Sequence, residues 1–386
     1  MSLDTAHPQR STHPDQTTVT GPRLDPEKVQ EFASTLFGAL AAGSTVLMVS
    51  IGHRTGLFDA LAGLPPSTSP QVAAAAGLHE RYVREWLHAM TTARVVEHNP
   101  TDDSFRLPAE HAAVLTRESG PDNLAAVMQF LPLMAEVETD VVDCFAEGGG
   151  VPYGRYGRFH DVMAELSAAT NDAALLDRIV PLVPGLQERL TQGIRVADVG
   201  CGRGHAVNLL ARAFPASQFV GYDFSEDAVP VARAEAQGWG LGNARFEVRD
   251  VTSLDGTGTF ELITAFDAIH DQAHPATVLE QIRAHLAPDG AFLMVDMHAS
   301  SDVEANLELP WAPFLYAIST MHCMTVSLSL GGDGLGTAWG TELALQMLAD
   351  AGFGDVSVQR LPEDFINSYF VARTSAATPP SHEFVS

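Results

Sequence analysis

Apolar residues recur at helical spacing from Asp25 to Gly52, with Asp25 placed as a cap and Pro26 in the first turn. Residues 1–22 lack that period, are rich in Pro, Thr, Ser, Gln and His, and read as a disordered tail. Downstream, Ser69–Ala76 forms a short helix stopped by Gly77, and a second helix begins near His79. The second carries Val83, Trp86, Leu87 and Met90 at spacings of three and four, which defines one buried face. Two extended runs follow, Val95–Glu97 and Ser104–Leu107, split by the turn residues Asn99–Asp103. Helix, helix and hairpin in that order predict a winged helix. Residues 108–190 read as mainly helical, with a break at Glu147–Tyr153.

From Ile194 the period changes to alternating strands and helices. Strands are predicted at Ile194–Val199, Gln218–Asp223, Phe246–Arg249, Leu262–Phe266 and Ala291–Asp296. Helices are predicted at His205–Phe214, onward to Ala236, and at Pro275–Leu286. This is an α/β pattern, a Rossmann-like, doubly wound sheet. Val356–Leu361 and Ser368–Ala372, after a helix at Thr341–Ala351, complete a seven-stranded sheet that is parallel except for an antiparallel end. A stretch at 298–338 shows no period and reads as an irregular lid insertion, a loop length that usually marks function. The expected division is a tail at 1–22, a helical and winged-helix domain at 23–190, a sheet domain with its lid at 191–375, and a tail at 376–386.

A chain of 386 residues suits about two domains. With 46% hydrophobic and 18% charged residues it can bury a sizeable core. A formal net charge of −26 repels phosphate backbones and anionic membrane, so no nucleic-acid or membrane partner is expected. Cys144, Cys201 and Cys323 are odd in number and far apart, which argues against a disulfide framework and for a reduced, cytoplasmic setting. The N-terminus lacks the pattern of a signal peptide. Thr35–Gly52 is apolar enough to resemble a membrane span, but its Gly, Ser and Thr content favours a buried or dimer-facing helix, and a homodimer is expected.

The candidate chemistry begins at Asp198-Val199-Gly200-Cys201-Gly202-Arg203-Gly204, where a strand enters a glycine-rich turn and then a helix. Gly200, Gly202 and Gly204 let backbone approach a ligand closely, a feature that nucleotide dehydrogenases share. Two further acids narrow the choice. Asp223 ends the next strand where a carboxylate can accept ribose hydroxyls, with Phe224 beside it for an adenine face, and Asp250-Val251 follows the third strand. Either acid can instead simply cap the segment after it. Together these residues resemble the successive motifs of class I methyltransferases that use S-adenosylmethionine (SAM), over about residues 190–375. The resemblance implies that Asp198 and the glycines hold the methionine part, Asp223 the ribose and Asp250 the adenine. Val251, Phe266 and Tyr153 are added as neighbours of the cofactor.

The helix and winged helix ahead of this domain resemble the small-molecule O-methyltransferases of plants and antibiotic pathways, which implies a dimer and a covered small-molecule substrate. A SAM-sensing winged-helix regulator of transcription is the alternative. Its recognition helix would present Arg81 and Arg84, with Glu80 and Glu85 beside them.

After the fourth strand comes Phe266-Asp267-Ala268-Ile269-His270-Asp271. In the plant-type enzymes a His-Asp pair in this place supplies the general base, so the resemblance implies that His270 deprotonates a hydroxyl. Met321-His322-Cys323 in the insertion permits a second reading. Two imidazoles and a carboxylate can take one face of a metal and leave positions open. His270, Asp271 and His322 then resemble the ligands of metal-dependent C-methyltransferases that act on the β-carbon of α-keto acids in peptide-antibiotic pathways, which implies a divalent or ferric ion, iron or zinc. Arg155 or Arg158 would clamp the substrate carboxylate, with Tyr153, Tyr156 and Phe159 as walls. His274 and His298 compete as ligands. The glycine run at Leu330–Gly336 lacks the Lys-Ser/Thr ending of a phosphate loop and reads as a connection.

Overall fold

The computed structural model describes residues 24–374, so the tails predicted at 1–22 and 376–386 lie outside the described residues. The chain divides into two compact units, one ending at Ser44 and the other beginning at Thr45. The helix Pro26–Thr55 starts in the first unit and ends in the second. Asp25 accepts from the Glu27 backbone N–H at 3.0 Å, as its capping position predicts. By length and composition this helix could cross a membrane.

In the second unit, the winged helix comprises helices Ser69–Ala76 and Glu80–Thr92 and the antiparallel hairpin β1 (Glu97–Asn99) and β2 (Ser104–Arg106). The predicted stripe Val83, Trp86, Leu87 and Met90 is buried against Phe58, Val72 and Phe105. Trp86 keeps its indole N–H satisfied on the Met48 carbonyl at 2.8 Å. On the exposed side, Arg81 pairs with Glu85 and Arg84 with Glu80. Both arginines of the would-be recognition helix are therefore already matched by carboxylates.

The sheet comprises β3 (Arg195–Val199), β4 (Gln218–Asp223), β5 (Ala244–Val248), β6 (Phe260–Phe266), β7 (Leu286–Met297), β8 (Asp355–Gln359) and β9 (Asn367–Arg373). Their spatial order is β5-β4-β3-β6-β7-β9-β8, with β9 antiparallel to both neighbours. Successive residues of each strand face opposite layers. Val196, Leu262, Leu293 and Val371 pack under helices His205–Ala213 and Ala228–Gly238. Ala197, Ile263, Met294 and Phe370 pack under Pro275–His285 and Gly340–Asp350. The order reverses at β3, between β4 and β6, which opens a crevice at the carboxyl ends of those strands.

The insertion at 298–338 is not irregular. It contains helices Val303–Asn306, Ala312–Ile318 and Met324–Ser329, the last two joined by a π-helical turn at Ser319–Cys323. Each is under eight residues, too short for a period of 3.6 to show in the sequence. Ile318 and Val326 share one core with Phe130, Leu133, Val151, Tyr156 and Phe159. The Val151 N–H donates to Thr325 Oγ1 at 2.9 Å, and the two segments form one roof. The glycine run after Ser329 is held by Asp333 N–H on the Ala273 carbonyl, at 2.8 Å, and by Gly334 N–H on Ser327 Oγ, at 3.1 Å.

Candidate active site

β3 delivers Asp198 to the crevice with its side chain buried, where Thr264 Oγ1 of β6 donates to Asp198 Oδ1 at 2.6 Å. The loop after β3 folds back over β4, with Gly200 and Cys201 N–H on the Tyr222 carbonyl at 2.9 and 3.0 Å. Asp223 closes this turn. Its Oδ2 accepts from Gly202 N–H at 2.7 Å and its Oδ1 from Ser225 N–H at 2.9 Å. Gly204 has φ +73°, and a Cβ there would overlap the Phe246 ring and lie 2.6 Å from Ala232 Cβ. That close contact fixes glycine at the start of the helix.

Burial pushes the Asp198 carboxyl up to about 7, even though the Thr264 hydrogen bond opposes the shift. Burial also raises Asp223, against its two backbone donors. A raised carboxyl favours the fold in its neutral form. The contribution of Asp198 is therefore complete below its ordinary value of 3.8 and is lost as pH rises to about 7. Denaturant titrations at acidic and neutral pH should show this decline in the wild type and a shallower one in Asp198→Asn.

Asp198, Gly200, Gly202, Gly204, Asp223, Phe224, Phe266 and Tyr153, all expected at the cofactor, line one cavity. The Tyr153 and Phe224 rings meet edge to face at 5.7 Å. Asp250 and Val251 do not line it. Asp250 Oδ1 accepts from Thr252 N–H and Oγ1, at 2.9 and 2.7 Å, so the carboxylate caps its own turn. Val251 is buried in the core with Tyr222 and Leu254.

The turn after β6, packed beside Gly200 of the loop, carries His270 and Asp271, and Asp271 lines the cavity. His270 is buried, and its Nδ1–H donates to Asp296 Oδ1 at 2.8 Å. Trp339 Nε1–H, at 3.1 Å, and Met297 N–H, at 2.8 Å, donate to the same oxygen. Nε2 of His270 lies 3.4 Å from Asp271 Oδ1. Burial acts against the imidazolium, but the carboxylates of Asp296 and Asp271 outweigh it, and His270 is held well above its usual value.

Donor atoms of His270, Asp271 and Cys323 all lie within 4.8 Å of one another. His322, the ligand selected from the sequence, is outside that group. Its ring stacks on Phe159 at 3.5 Å and meets Tyr156 edge-on at 4.7 Å. Both ring nitrogens are buried without a hydrogen-bond partner, and burial pushes His322 down to about 4. The residues present fit a metal ion on three counts. The donors are of mixed N, O and S type, the buried Asp271 Oδ1 has no hydrogen-bond partner, and Asp296 fixes the tautomer of His270 so that Nε2 faces the group.

Arg155, expected as the clamp, does not line the cavity. It is largely exposed and pairs with Asp140, Nη2 to Oδ2 at 2.7 Å. Arg158 donates to Gln129 Oε1 at 2.7 Å. His274 is half exposed near Asp333, and His298 is bound to Ser368 Oγ at 3.1 Å, so neither joins His270. Sequence reasoning missed Asp296, Cys323 and His160, which sits 3.3 Å from both Tyr153 Oη and Ser225 Oγ. Asp296 had a legible signal, since it ends a predicted strand at the same sheet edge as Asp198 and Asp223.

This strand order, with acids at the ends of β3 and β4 around a glycine loop, defines a class I methyltransferase fold. Residues 190–351 match the family model of a methyltransferase domain, and residues 43–117 that of the Rv2258c-like winged HTH domain. A stretch of 109 residues is 33% identical to the uncharacterized methyltransferase YcgJ of Bacillus subtilis, covering 28% of this chain and 42% of that protein. The chain spans about half the length of the curated relatives it matches. A putative O-methyltransferase from Nostoc punctiforme shares the fold with a TM-score of 0.68 at 17% identity, over 88% of this chain and 98% of that one. Human N-acetylserotonin methyltransferase, solved with SAM, gives 0.65 at 16% identity, over 92% and 100%.

Proposed function

We propose that this protein is a SAM-dependent methyltransferase acting on a small molecule. The observation that carries the reading is a shared wall. Asp198 and Asp223 of the glycine loop line the same cavity as Asp271, the neighbour of His270. A donor on the loop and an acceptor at His270–Asp271 would then face each other without intervening protein.

In its most concrete form the reaction is C-methylation at the β-carbon of an α-keto acid. His270 and Asp271 would hold iron or zinc, with His322 or Cys323 as the third protein ligand. A metal bound there would act as a Lewis acid on a chelating keto acid. Asp296 keeps the proton of His270 on Nδ1 and leaves Nε2 to the site. Phe159 and Tyr153 line the cavity with aromatic surface. Elemental analysis of the purified protein should find about one equivalent of metal, and chelation should abolish methyl transfer to α-keto acids. A metal-free protein with full activity would remove this form.

The hydrogen-bonded pair Asp296–His270 supports a second reading, O-methylation with His270 as general base. That activity would survive chelation. For either reaction we expect a homodimer, because Phe32, Leu36, Phe37 and Leu40 of the first helix are exposed apolar residues. Light scattering should give twice the mass of one chain, and Phe37→Glu with Leu40→Glu should reduce it to one.

A further inference from the structure

Asp267 has no part in the chemistry described so far, yet it lies where donor and acceptor would meet. It follows β6 and lines the same cavity as Gly200 and Asp271. Its backbone is held at φ +50°, with N–H donating to the Val295 carbonyl at 2.9 Å. Left-handed backbone at a residue other than glycine is costly and tends to persist at functional sites. Asp267 Oδ1 is shut off from solvent and has no hydrogen-bond partner.

The basic side chains around the cavity are already engaged elsewhere. Arg203 pairs with Asp161 at 2.5 Å, and His205 bridges Glu235 at 2.8 Å and Asp172 at 3.1 Å. His160 is bound to Tyr153 and Ser225, and His270 faces Asp296 and Asp271. Among the described residues, then, the carboxylate of Asp267 has no cation of its own. Asp198 and Asp223 have places along the amino-acid and ribose parts of the donor, which leaves the sulfonium without an opposing charge.

We infer that Asp267 is the counter-charge for the sulfonium of the methyl donor, so that the site selects SAM over its neutral thioether product, S-adenosylhomocysteine. The inference rests on the SAM reading proposed above. A carboxylate with a buried, unpartnered oxygen gains from a cation placed beside it. Once the methyl group leaves, the sulfur is neutral and that attraction ends, which favours exchange of product for fresh donor.

Calorimetric titration tests this with SAM, S-adenosylhomocysteine and sinefungin, whose ammonium stands where SAM has its sulfonium. Asp267→Asn keeps a residue that tolerates the left-handed backbone. It should weaken SAM and sinefungin by about tenfold and leave S-adenosylhomocysteine within about twofold. Asp267→Gly, which removes the backbone strain as well, should show the same loss of selectivity. Equal weakening of all three ligands, or no weakening in either variant, would overturn the inference while leaving the SAM reading intact. Failure of the wild type to bind any of the three would overturn both.

Discussion

His270→Ala should lower kcat for methyl transfer by about 10²–10⁴-fold, the range expected for removing a positioned acid–base group. Affinity for SAM should change little, because His270 is not among the residues lining the cavity of Asp198 and Asp223, and its polar contacts are to Asp296 and Asp271. Single-turnover rates combined with donor titration separate the two quantities. The variant also reports on mechanism. If His270 is a ligand, metal content falls with the rate. If it is a base, metal content plays no part and the pH profile carries the signal. In the free protein, the carboxylates of Asp296 and Asp271 hold the imidazole well above its usual value and so favour its protonated form. A general base must first lose that proton, and the rate should rise towards alkaline pH. Asp296→Asn removes one of the carboxylates and should move the rise to lower pH. An unchanged kcat in His270→Ala would discard both forms of the chemistry.

Gly204→Val should be the most damaging single change in the donor loop. The new side chain must adopt φ +73°, and its Cβ would overlap the Phe246 ring. Left-handed backbone at a β-branched residue and overpacking at a buried contact together cost about 3–5 kcal/mol. That is a large part of the stability of an ordinary domain. Thermal unfolding should show a marked drop in Tm, and any protein that still folds should bind SAM weakly. Gly202→Ala is the contrasting variant, since a Cβ at Gly202 meets nothing within 4 Å. It should cost only the backbone term of about 1–2 kcal/mol.

The sheet was legible because its strands are near-continuous apolar runs, and glycines and acids mark where those runs end. Gln218–Asp223 was located to the residue, and the β9 strand to within one residue at each end. The wing was legible for the same reason, since Asn99–Asp103 separates its two strands. The insertion was not, because helices of four to seven residues hold too few turns to show a period. The donor side of the site followed from local motifs, where neighbours in sequence are neighbours in space. The acceptor side depends on long-range contacts. Asp296 meets His270 from the adjacent strand, and Cys323, rather than His322, turns towards Asp271 from the π-helical turn. The pairing of Arg155 with Asp140 was not legible, because nothing local reveals that Asp140 is within its reach.

The roof has a consequence for how acceptor preference can be altered. Val151 is bonded to Thr325 across 174 positions of sequence, and a Cβ at Gly150 would collide with the Thr325 carbonyl. Residues 130–162 and 312–329 thus behave as two halves of one cast part. Transplanting either half alone from a relative would leave a seam of mismatched volumes above the cavity. A chimera that exchanges both halves together, keeping Gly150 and Thr325 as a matched pair, is the unit in which new acceptor shapes should be sought.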